Sequence, residues 1–73
     1  MADNPQTRDH ARERFDALVG AIGITSEARE LTNNDSLTDE QALHFILERR
    51  WPDLPEREAH IACARRYDVE LPA

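Results

Sequence analysis

Two sets of side chains group metal- and proton-handling residues at helical spacing. Glu40, His44 and Glu48 recur every four residues, and Glu56, His60 and Cys63 follow at offsets of four and three. Residues three and four apart share one helix face, so each set would present carboxylate, imidazole or thiolate from a single ridge. Those are the ligand types of divalent zinc. A complete site needs both ridges to converge, and no CxxC, HExxH or carboxylate-rich calcium loop accompanies them. The spacing is equally that of weak Glu–His contacts on two solvated faces, so no metal and no cofactor is expected. Cys63 with His60 one turn before it outlines a nucleophile and its base. Yet Cys63 stands between Ala62 and Ala64, where a thiol serves as a small core group. A chain of 73 residues also leaves little room for a pocket of about 300 Å³ or more. No enzymatic activity is expected.

The arginines come next. All nine bases are arginine, and Arg49, Arg50, Arg57, Arg65 and Arg66 crowd the second half around Trp51 and Tyr67. Glu48, Asp53, Glu56 and Glu58 nearly cancel them. The whole chain sets 15 acids against 9 bases, a net charge of −6. That balance repels phosphate at long range and makes nucleic acid the less favoured partner. A recognition helix reads bases mainly from its first residues; here those would be Glu56, Arg57 and Glu58. A small helix-turn-helix regulator therefore stands as the alternative function. Trp, Tyr and Arg are also the types enriched at protein-binding hot spots. Phe45, Arg49, Arg50, Trp51 and Tyr67 are accordingly the candidate partner-binding residues. For Trp51 the competing role is to plug the base of a helical hairpin.

These residues must be positioned by helices. Ala11, Phe15, Leu18, Val19 and Ile22 lie at offsets of 4, 7, 8 and 11, one face of a helix over 6–21, with Asn4 and Pro5 as its start signal and Gly20 and Gly23 weakening its end. Thr25 predicts the cap of a short second helix, 26–32, anchored by Ile24 and Leu31. The run NNDS at 33–36 reads as a loop. Thr38 and Gln41 form a capping box ahead of ALHFIL, giving a third helix over 39–50 that stops before Pro52. Asp53 and Glu56 predict a second box for a fourth helix, 54–67. Val69 and Leu71 alternate with acids and predict an extended tail. The expected core is Phe15, Leu18, Ile22, Leu43, Ile46, Leu47 and Ile61.

Local resemblances are short. LPEREAHIACARRY at 54–67 resembles the first helix of region four in bacterial sigma factors, chiefly through LPERE, and VGAIGITSEA at 19–28 is similar to a helix-hairpin-helix motif, except that Gly20 and Gly23 are three apart where the motif has glycines two apart. DSL at 35–37 is similar to the phosphopantetheine site of acyl carrier proteins, although Arg49 and Arg50 break the acidic pattern that follows there. No residue role is carried over from any of them.

Length and composition set the frame. One domain spans 1–73, with 1–4 a frayed N-terminus and 68–73 a C-terminal tail, as an all-α bundle of three to four helices. The apolar stretches ALVGAIGI and ALHFIL are too short to span a bilayer, and MADNPQTRDH lacks the apolar run of a signal peptide. With one cysteine no internal disulfide can form, and a single thiol fits the cytoplasm. A domain this small usually needs a staple; without disulfide or metal, association is the simplest one. The function expected is a non-catalytic protein–protein interaction module: a small regulator, adaptor or inhibitor of the kind carried by phages or plasmids. A homodimer is expected through Phe45, Trp51 and the exposed side of helix four. Ala59 and Cys63 would allow close approach, and Arg49 and Arg50 would pair with partner acids from 27–40.

Overall fold

The computed structural model describes the backbone over residues 5–72 and side chains over 11–72. Four helices follow in order: α1 (Pro5–Val19), α2 (Ile22–Thr32), α3 (Asp39–Arg50) and α4 (Glu56–Tyr67). They form one all-helical globule, and the described residues include no strand. The expected Asn4 cap and the frayed end 1–4 lie outside the described residues.

The first break is shorter than the sequence predicts, and it falls earlier. α1 ends at Val19, where the Ala21 amide turns back to the Leu18 carbonyl at 3.0 Å. α2 begins at once with Ile22, so Gly23 and Thr25 lie inside it. Thr25 caps nothing. Its hydroxyl lies 3.3 Å from the Ala21 carbonyl and 3.1 Å from Asp39 Oδ1, tying α2 to the first turn of α3. The physical cause of the early start is burial: Ile24, Thr25 and Ala28 sit on the face that α2 packs against the core. Asn33, in the left-handed region at φ 54°, ends the helix. The Asn34 amide then returns to the Arg29 carbonyl at 3.0 Å. The loop at 33–36 holds an Asx turn, Ser36 N to Asn34 Oδ1 at 3.0 Å.

α3 is as its residues dictate. Gln41 N donates to Thr38 Oγ1 at 3.2 Å and Thr38 N to Gln41 Oε1 at 3.0 Å, the reciprocal capping box. Trp51 ends the helix at φ −133°, ahead of Pro52. α4 differs: the Asp53–Glu56 box does not form. Pro55 is the N-cap in extended conformation, and its carbonyl accepts from Ala59 N at 2.9 Å. Glu56 and Glu58 in the first turn, and Arg65 and Arg66 in the last, complement the helix dipole. Asp68, left-handed at φ 56°, closes α4. Val69 and Leu71 then pack half-buried against the core without regular structure.

α2 packs most extensively on α3, while α1 lies against both α3 and α4. α4 contacts α1 more than it does α3, so residues 51–55 make a bent corner. The core is Leu18, Ile24, Ala28, Ala42, Leu43, Ile46, Cys63 and Ala64, with Ala59, His60 and Thr25 also buried. Phe15 and Leu47 pack half-buried at its margin. Two expected core members are displaced. Ile22, the first residue of α2, is 81% exposed, and Ile24 takes its place. On α4 the buried face is Ala59, His60, Cys63 and Ala64, which leaves Ile61 half-buried to one side. Leu31, expected to anchor α2, is exposed.

Candidate interaction surface

The α3–α4 corner holds an open apolar cleft of about 270 Å³. Leu47 and Trp51 line it from α3, Pro52 and Leu54 from the connection, and Ala59 and His60 from α4, with Glu48 and Glu56 at its edges. Pro52 forbids another helical turn, so the chain swings outward and leaves Leu54 41% exposed between two prolines. A second cleft of about 360 Å³ adjoins it, lined by Ala11, Arg12, Phe15, Glu40, His44 and Glu56. Glu56 belongs to both.

The Glu–His ridges therefore come closer than their sequence separation implies, since Glu40, His44 and Glu56 border one cleft. Among the described residues, however, no three His, Cys, Asp or Glu side chains are grouped to hold a metal ion. Phe15 sits between the histidines, its ring centroid 5.2 Å from that of His44 and 6.1 Å from that of His60. His44 is exposed. His60 is not on a solvated face, contrary to expectation: it is 1% exposed and its Nδ1 has no hydrogen-bond partner among the described residues. Burial pushes its pKa down; the charge of Glu56 opposes this, and Arg14 and His44 add to it. Cys63 is fully buried, as its small neighbours imply. Burial, with a smaller push from Glu27, raises its thiol to about 11, so the nucleophilic thiolate is scarce at neutral pH.

The five candidate partner-binding residues take part in different contacts. Arg50 donates from Nε to Glu27 Oε2 at 3.0 Å and to the Tyr67 hydroxyl at 3.2 Å, and its Nη2 also reaches Glu27. This joins α2, α3 and the end of α4. Partial burial raises the Glu27 carboxyl, but the hydrogen bonds from Arg50 and Tyr67 and the charges of Arg50 and Arg66 outweigh it and hold it low. Phe45 is half-buried, with the Arg49 guanidinium 5.9 Å from its ring centre. Trp51 alone of the five lines the corner cleft. Arg50 meets Glu27, an acid of the 27–40 segment, within its own chain; Ala59 is buried at the wall of the cleft, and Cys63 is enclosed in the core rather than on an exposed side of α4. Leu47, Leu54 and Phe15 were missed as cleft residues. The signals available were the i, i+4, i+7, i+11 ridge of Glu40, His44, Leu47 and Trp51, and a leucine held between prolines.

Comparison with protein-family models, with curated proteins and with solved structures finds no match. Among the described residues no helix is long and apolar enough to cross a membrane.

Proposed function

We propose that this chain is a non-catalytic helical module that works by binding another protein, as a small regulator, adaptor or inhibitor, with self-association as one form of that binding. The observation that carries the reading is the corner cleft. It places the single tryptophan beside Leu47 and the exposed Leu54 in an open apolar depression. A tryptophan set in a pocket among aliphatic side chains is the composition of a binding hot spot. A photo-reactive residue at position 54 tests the reading in the producing cell: adducts to a protein chain support it, and their absence counts against it. Light scattering over a dilution series decides self-association.

A second reading, a helix-turn-helix DNA-binding regulator, draws on the short α3–α4 connection and the exposed Arg57, Arg65 and Arg66 of α4. Against it stand Glu56 and Glu58, exposed in the turn that would face an anionic groove. DNA affinity that falls steeply with salt would favour this reading.

A further inference from the structure

We infer that the furrow along the α3–α4 corner receives a cationic segment of a foreign partner protein, which inserts an apolar side chain beside Trp51. This rests on the interaction reading above and names the chemistry of the partner.

The argument is charge complementarity around an apolar centre. Glu40, His44 and Glu48 follow one another along one ridge of α3, about 12 Å from end to end at 1.5 Å per residue, and Trp51 stands at the C-terminal end of the helix. Glu56 stands in the wall common to both clefts. Glu40, Glu48 and Glu56 are exposed, and none is in an ion pair among the described residues. Arg12, the arginine that borders the furrow, is engaged by Asp16 at 3.2 Å and lies 5.9 Å from the Phe15 ring centre. The furrow is left with three carboxylates and no uncommitted cation among its described lining residues. Its apolar part, between Leu47, Trp51 and Leu54, has a volume of about 270 Å³, enough for one bulky side chain.

A surplus of carboxylates of this kind around an apolar centre attracts the opposite charge and disfavours its own. A second copy of this chain, with a net charge of −6, is a less favoured occupant of this rim, and nucleic acid is disfavoured for the same reason. A segment with Arg or Lys spaced about an apolar anchor meets every feature of the furrow: cations against Glu40, Glu48 and Glu56, and the anchor against Trp51. This is the groove mode of peptide recognition.

Trp51 is its own reporter. The probes are a short amphipathic peptide of leucine and lysine and its leucine–glutamate counterpart. The leucine–lysine peptide should shift Trp51 emission to the blue, and the leucine–glutamate peptide should not. Glu48→Gln with Glu56→Gln should weaken the lysine peptide by about fivefold, while Glu13→Gln with Glu30→Gln, outside the furrow, should leave it unchanged. Equal binding of both peptides, no shift with either, or equal weakening by both double variants would overturn the inference. The adducts formed in cells from position 54 separate this inference from the interaction reading. A cross-linked segment rich in Arg or Lys supports both. A neutral or acidic segment, or a second copy of this chain, sinks the inference and leaves the interaction reading standing. No protein adduct at all sinks both.

Discussion

Arg50 Nε lies 3.0 Å from Glu27 Oε2, so the last residue of α3 holds α2 by a charge-assisted hydrogen bond that also takes in the Tyr67 hydroxyl. Glu27 titrates below its ordinary 4.5 in the folded protein. Its contribution to stability is therefore complete above 4.5 and is lost as pH falls through the folded value. Glu27→Gln should lower the melting temperature at pH 7 and converge with wild type in strong acid. A difference that stays constant down the pH range would show that the pair contributes nothing through its charge.

His60 sets a second pH dependence, of the same sign but in another window. Its folded pKa lies below 6.5, so the unfolded chain takes up the proton first. Stability is complete above pH 6.5 and is lost as pH falls from there through the folded pKa. The groups acting on the imidazole are Glu56, which opposes the shift, and Arg14 and His44, which add to it. His60→Leu should flatten the stability profile from neutral pH down through the folded pKa of His60, as read from urea midpoints at each pH. A profile as steep as wild type would place that titration elsewhere.

Core truncation should follow burial rather than hydrophobicity alone. Ile46 is fully buried and Leu47 only half-buried. Ile46→Ala should cost about 2–5 kcal/mol, enough to unfold much of so small a domain, and Leu47→Ala should cost distinctly less. Chemical denaturation ranks the two, and the reverse order would mean that the core is assigned wrongly.

Gly23 offers a stabilising change. It lies inside α2 without a positive φ, and a Cβ there would meet Tyr67 Cδ1 at an ordinary 3.7 Å. Gly23→Ala should raise stability by up to about 0.5 kcal/mol, at the low end of the helix-interior range because Gly23 lies in the first turn of α2. A lower melting temperature would show that the Gly23–Tyr67 contact is tighter than this distance implies.

Cys63 should react with thiol reagents only when the chain opens. It is fully buried with its thiol raised to about 11, so labelling should track unfolding as urea is raised. Rapid labelling of native protein would place the thiol at the surface.

Local chemistry was legible at α3, where the partners are close in the chain, though the equally local Asp53–Glu56 box does not form because Pro55 takes the N-cap. The α3 boundaries follow from Thr38 and Gln41 in front and Pro52 behind, because the capping box needs only three residues of separation. What the sequence hid depends on distant packing. Thr25 reads as a cap because a hydroxyl after Gly23 ordinarily caps; its actual partner, Asp39, is 14 residues away. His60 reads as solvated because Glu56 precedes it by one turn, yet α1 covers α4 and encloses the imidazole. The same packing sends Arg50 to Glu27, 23 residues away. The candidate site was thus legible at Trp51 and in the Glu40–His44–Glu48 spacing, but not as one furrow.

Where α4 and α2 meet the core, they present Ala28, Ala59, Cys63 and Ala64, and α3 adds Ala42. Leu18, Ile24, Leu43 and Ile46 are the bulky aliphatic side chains fully enclosed among the described residues. Drift in such an interior is lopsided. An alanine has little left to lose by truncation, while each added methylene must displace a neighbouring helix. Homologous chains would therefore diverge here by paired exchanges, one position growing as its opposite shrinks, and solvent-facing positions would vary singly.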